Sequence, residues 1–156
     1  MIKDGADDMA FTSEKEMVEI IIKSDYIRDL TSPGPSLVKE EVKGLFGIPD
    51  IVVVKNDNEK MISYAFEAKL TNWKRALIQA FRYKAFVNQS YVIMDHDHVK
   101  SALSQTERFS RSNIGLMSID NNGTMYCHHT PHSDAPYSTK FETIFSTMVK
   151  TAMHNH

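Results

Sequence analysis

The run Ile51-Val52-Val53-Val54, the polar stretch Lys55-Asn56-Asp57-Asn58-Glu59-Lys60 and the alternation from Ile62 to Leu70 constrain the fold more than any other part of the chain. Four consecutive β-branched residues read as a strand buried on both faces. Asn and Asp bond their own backbone and tolerate left-handed conformations, so the polar stretch reads as a turn. In the strand that follows, Ile62, Tyr64, Phe66, Ala68 and Leu70 share one face, and Ser63, Ala65, Glu67 and Lys69 share the other. The two strands are expected to form an antiparallel hairpin centred near Asp57 and Asn58.

Pairing Val54 with Ser63 also pairs Asp50 with Glu67, and directly opposed residues in such a ladder lie about 4.5–5.5 Å apart. Two carboxylates that close repel each other unless one takes a proton or a cation neutralises them. A hard divalent cation, which prefers oxygen ligands, would satisfy both. Lys69 lies on the same face as Glu67 and offers another answer, a salt-bridged hairpin with no further role. The charge pattern alone leaves both readings open.

Pro49-Asp50 followed by Glu67-Ala68-Lys69 resembles the PD-(D/E)XK nuclease superfamily, with Ala68 at the variable position. Its members include restriction endonucleases, archaeal-type Holliday junction resolvases and RecB-type exonucleases, and the resemblance spans roughly residues 13–94. It implies a restriction-endonuclease-like α/β fold, in which a central mixed sheet is flanked by helices in an αβββαβ core. It also implies a metal-dependent deoxyribonuclease, an endonuclease or exonuclease that hydrolyses phosphodiester bonds in DNA. Asp50, Glu67 and the Ala68 carbonyl would hold Mg2+ or Mn2+, and Lys69 would position water and stabilise developing negative charge.

Three neighbouring segments fit that resemblance. Thr12 or Ser13 followed by Glu16 reads as a helix start, with Met17, Val18, Ile21 and Ile22 as its apolar stripe. In resolvase-like relatives this helix carries an acidic residue to the metal, a role that falls to Glu14 first and Glu19 second. Ser36 to Lys43 reads as a strand running into Gly44-Leu45-Phe46-Gly47, with Glu40 and Glu41 on opposite faces so that at most one faces the site to assist the metal, and an exposed edge is the favoured reading of both. Trp73 to Val87 reads as a helix with Trp73, Leu77, Ala80, Phe81 and Val87 on its apolar side. Arg75, Gln79, Arg82 and Tyr83 lie on the other side, and Gln79 and Tyr83 are neighbours four apart. They resemble the Q-x-x-x-Y element of RecB- and Cas4-like nucleases, which implies that they support the active site and approach DNA. Lys74, Arg75, Arg82 and Lys84 would suit phosphate contacts.

Beyond the hairpin and helix, Ser90 to Met94 reads as a buried strand, Val99 to Phe109 as a helix and Ile114 to Ile119 as a strand. Gly123 to His129 reads as its antiparallel partner, and Lys140 to Met153 as a terminal helix. A chain of 156 residues with 42% hydrophobic content is expected to form one domain over residues 1–156. Its core would span about residues 13–94, with a C-terminal elaboration at about 97–153 and no room for a separate DNA-recognition domain. Duplex cleavage from one compact site would then call for a homodimer or a partner subunit.

A formal net charge of -2 lowers the expectation of strong nonspecific DNA binding without removing it. The lone cysteine, Cys127, excludes an intramolecular disulfide, and no apolar stretch approaches a membrane span or a signal-peptide core, so a cytoplasmic protein is expected. Cys127-His128-His129 with His132 lacks a second ligand pair at zinc spacing and reads as an exposed polar loop. The alternative function is a noncatalytic nucleic-acid-binding or assembly module on the same fold.

Overall fold

The computed structural model describes residues 11–58 and 60–154. Residues 1–10, 59 and 155–156, which the reading of 1–156 as one domain includes, lie outside the described residues. The expected hairpin is present: β2 runs Ile51–Asp57 and β3 runs Lys60–Lys69, with Val54 opposite Ser63 and Ile51 opposite Phe66. Ile51 to Val54 are all buried, as a β-branched run covered on both faces requires. Asn58 adopts a left-handed φ of 51° at the turn, a conformation that asparagine tolerates.

Around the hairpin the chain builds a six-stranded mixed sheet in sequential order. β1 (Ser36–Glu40) pairs antiparallel with β2, while β4 (Gln89–Asp95) lies parallel to β3 and β5 (Gly115–Ile119) parallel to β4. β6 (Met125–His129) closes the sheet antiparallel to β5. Parallel neighbours need a crossover. The first is α3 (Trp73–Tyr83), and the second comprises a 3-10 turn at His96–His98, α4 (Lys100–Leu103) and α5 (Thr106–Ser112).

Both crossovers pack on one face, where Trp73, Leu77, Ala80 and Phe109 meet Val92, Met94 and Leu116. α6 (Thr139–His154) covers the same face further along, setting Phe145 and Val149 against Val52, Val54 and Phe86. The other face is covered by α1 (Glu14–Ile22) and α2 (Asp25–Leu30), with Met17, Val18, Ile21 and Ile27 packed on Ile51, Val53, Phe66 and Ile93. Each such side chain contributes about 1.5–3 kcal/mol by leaving water. The structure is therefore an α/β sheet flanked by helices on both faces. No helix among the described residues is long and apolar enough to cross a membrane.

Several elements depart from the sequence reading. β1 stops at Glu40 instead of reaching Lys43, because Glu41 turns into the left-handed region at φ 49°. The expected helix over Val99 to Phe109 is broken near Ser104 and Gln105, giving α4 and α5. α3 ends at Tyr83, not Val87. Its buried face is Trp73, Ala76, Leu77, Ala80 and Tyr83, so the apolar stripe is rotated towards Tyr83 and leaves Phe81 46% exposed. Cys127-His128-His129 forms the end of β6, as the strand expected over Gly123 to His129 requires and against the loop expected of the cluster itself. Cys127 is exposed, while His128 Nε2 lies 2.7 Å from Ser118 Oγ, which lies 2.7 Å from His96 Nδ1.

Candidate functional site

Asp50 immediately precedes β2, one step beyond the last ladder pair, and so stands opposite Glu67 as the register demands. Its carboxylate Oδ2 accepts the Ala68 N–H at 2.8 Å, and its own carbonyl accepts the Glu41 N–H at 3.1 Å. Glu67 comes from the neighbouring strand and is only 4% exposed. Lys69 Nζ lies 4.0 Å from Glu67 Oε2 and 3.7 Å from Glu14 Oε1.

Glu14 reaches this point because Ser13 starts α1 beside the end of β3. Ser13 Oγ accepts the Glu16 N–H at 3.1 Å, which satisfies one of the unpaired donors of the first turn. Glu14 in that first turn then accepts the Leu70 N–H through Oε2 at 3.1 Å. Glu14, Asp50 and the Glu67–Lys69 pair, from three separate segments, are thus gathered at one end of the hairpin.

Burial pushes the Glu67 carboxyl up to about 7, with the Asp50 charge adding to it and the Tyr83 hydroxyl and Lys69 opposing it. Asp50 is also raised by burial, against the pull of the Ala68 N–H and Lys69. A buried Glu67 and a half-buried Asp50 share one nearby ammonium, so two ionised carboxylates there would exceed the positive charge beside them.

Tyr83 stands behind Glu67, not at the substrate side where the sequence reading set it. It is buried on the core side of α3, and its hydroxyl lies 2.5 Å from Glu67 Oε1 and 3.0 Å from the Ile48 carbonyl. Burial first, then the Glu67 charge, holds this phenol well above its ordinary range, so it keeps its proton. One proton cannot serve both acceptors fully. When Glu67 is ionised the phenol donates to it; when Glu67 is a neutral acid it can donate to the phenol, whose proton then turns to Ile48.

The loop that carries Ile48 is shaped for this contact. Gly47 has a φ of 84°, and a Cβ there would lie 2.8 Å from Tyr83 Cε1. Glycine meets both demands, the left-handed backbone and the close approach of the ring. The sequence offered Gly47-Ile48-Pro49-Asp50 as a turn before a strand, but which ring the glycine touches depends on the phase of a helix more than thirty residues away.

Gln79 lies one turn before Tyr83 on α3, and its Oε1 is buried without a hydrogen-bond partner among the described residues. Arg75 and Arg82 are exposed, with the Arg82 guanidinium 5.8 Å from the Phe46 ring centroid. Glu19, Glu40 and Glu41 join Glu14 and Asp50 in lining an open cleft of about 560 Å³. Glu40 and Glu41 are both exposed, as expected of an edge, at and just beyond the end of β1, where the left-handed backbone of Glu41 ends the alternation.

Asp50, Glu67, Glu14 and the Ala68 carbonyl are an all-oxygen donor set, which suits a hard cation in its chemistry. Among the described residues, no three His, Cys, Asp or Glu side chains converge as a ready-made cage. Compared with known proteins, the chain matches no family and no curated protein.

Proposed function

We propose that this chain is a metal-dependent deoxyribonuclease with a restriction-endonuclease-like fold, hydrolysing phosphodiester bonds at a centre formed by Asp50, Glu67, Ala68 and Lys69. The observation that carries the reading is the meeting of Asp50 and Glu67 at adjacent strands, both raised above their ordinary range, with the Lys69 ammonium within 4.0 Å of Glu67. A purely structural ion pair would not need the second, half-buried carboxylate of Asp50. It would also not need a tyrosine and a backbone N–H assigned to hold the two acids in place.

Asp50, Glu67 and the Ala68 carbonyl would hold Mg2+ or Mn2+. The bound cation supplies charge neutralisation at the scissile phosphate and a more acidic water. The chain supplies the rest. Lys69 places a positive charge where negative charge grows on the phosphate, and Glu14 holds Lys69 from the far side. Tyr83 keeps Glu67 oriented and favours its ionised form. Arg75 and Arg82, on the exposed side of α3, are placed for phosphate contacts that position a strand without reading its bases. A second copy or a partner subunit would bring the second site that a duplex break requires.

The test is Mg2+- and Mn2+-dependent cleavage of linear duplex, single-stranded, branched and circular DNA by the purified protein, with Glu67→Ala as matched control. Cleavage by the native chain that the substitution abolishes is the expected result. Cleavage at equal rates in both proteins would remove Glu67 from the chemistry. Absence of cleavage with any substrate would favour the noncatalytic nucleic-acid-binding module.

A further inference from the structure

Next to the acidic centre the protein presents a surface of opposite character. A groove of about 520 Å³ is lined by residues including Phe46, Ile78, Phe81, Arg82, Arg108 and Tyr137, and no carboxylate lines it. Phe46 is 40% exposed, Ile78 58%, Phe81 46% and Tyr137 54%. Apolar side chains left open together in this way mark a binding surface more often than chance.

The cations here sit on rings instead of pairing with acids. Arg82 lies 5.8 Å from the Phe46 centroid and Arg108 5.2 Å from Trp73, while Lys84, outside the groove lining, lies 5.5 Å from Phe81 and donates its ammonium to the Ser112 carbonyl at 3.1 Å. Among the described residues, none of the three forms an ion pair with a carboxylate. Phe81 and Tyr137 stack at 6.1 Å, and the Tyr137 N–H donates to the Lys84 carbonyl at 3.1 Å, which fixes the ring pair on the end of α3.

An occupant must therefore offer flat faces to the rings and negative charge to the two guanidinium groups. An intact duplex offers the charge, but its base faces are stacked inside. An unpaired strand offers both, since each base presents a π-face and each link a phosphate. The groove also adjoins the catalytic loop. Phe46 precedes Asp50 by four residues, at most about 14 Å of extended chain, and Arg82 directly precedes the tyrosine that holds Glu67.

We infer that this groove binds single-stranded DNA and leads a strand to the Asp50–Glu67 centre, so that the substrate is an unpaired end, flap or gap and not a continuous duplex. The inference deepens the nuclease reading and rests on it for the fate of the strand, but the binding itself needs no metal. The experiment is fluorescence anisotropy of labelled oligo-dT of about 20 nucleotides, against a duplex of equal length, with native protein in EDTA.

The expected result is tighter binding of the single strand, weakened about tenfold or more in a Phe81→Ala, Tyr137→Ala double variant, the loss of one to two stacked bases. An Arg82→Gln, Arg108→Gln variant should bind less tightly and with a shallower salt dependence. Because all four side chains are on the surface, an unchanged circular dichroism spectrum shows that the fold is kept. Equal affinity for both DNAs, or unaltered binding in the ring variant, overturns the inference. So does a native dimer that the ring variant dissolves without losing DNA affinity, which would make the face a self-association surface. Preference for the single strand without any cleavage in Mg2+ sinks the nuclease reading alone; efficient cleavage without that preference sinks the groove alone.

Discussion

Replacing Glu67 with Gln should make the metal-free protein more stable at pH 8. The Glu67 carboxyl is raised from 4.5 to about 7 in the folded chain, a gap worth about 3 kcal/mol at about 1.4 kcal/mol per pH unit. The folded state holds a proton that the unfolded state releases over that window. Stability therefore falls as pH rises from about 4.5 to about 7 and is level above it. Glutamine keeps the shape and can accept the Tyr83 O–H while carrying no charge. By this reasoning the variant exceeds the native protein by about 1 kcal/mol at pH 5 and about 3 kcal/mol at pH 8. Urea unfolding in EDTA at the two pH values measures the difference directly. If Glu67 instead served as half of a stabilising ion pair with Lys69, the variant would lose stability, by about 3–5 kcal/mol for a buried pair. A less stable variant at pH 8, or an advantage that does not grow between pH 5 and pH 8, refutes the argument.

Lys69→Ala should retain metal affinity, read by calorimetric titration, while single-turnover cleavage falls about 100-fold or more, the usual loss when one charge-stabilising donor is removed; lost metal binding would contradict its assigned role. Tyr83→Phe deletes the hydroxyl on Glu67, a bond to a charged group worth about 1.5–3 kcal/mol. Half-saturating Mg2+ near pH 7 should rise about tenfold or more and the acidic limb of the pH–rate profile should move to higher pH, whereas an unmoved limb would separate Tyr83 from Glu67 ionisation. Gly47→Ala combines a left-handed backbone with a methyl 2.8 Å from the Tyr83 ring, and thermal unfolding should show a loss of about 1–3 kcal/mol; a neutral effect would mean that the loop shifts freely.

The hairpin was legible because two simple patterns, a β-branched run and a strict alternation, fix both strands and their register. Once Val54 meets Ser63, Asp50 and Glu67 have no freedom to be elsewhere. The capped start of α1 is legible in the sequence, but Glu14 stands out only through the resemblance to resolvase-like nucleases, and its bond to the Leu70 N–H depends on how α1 packs across the sheet. Tyr83 was misplaced because Phe81 and Val87 outweighed Ala76 in the periodicity. Small residues at a tight helix–sheet contact carry little hydrophobic signal, yet they decide which way the helix turns. The end of β1 is hidden for a related reason: a strand end set by one left-handed residue, Glu41, leaves no trace in alternation. The ring and cation groove escaped notice since Phe46, Phe81 and Tyr137 come from three segments, each ordinary in isolation.

The central claim is that a divalent cation takes the place left for positive charge between Asp50 and Glu67. Electron paramagnetic resonance of Mn2+ titrated into the native chain and into Asp50→Ala tests it most directly. The account predicts one saturable site per native chain, displaced by Mg2+ and lost in the variant. Equal Mn2+ binding by the two proteins, or none by the native chain in the presence of DNA, would contradict it.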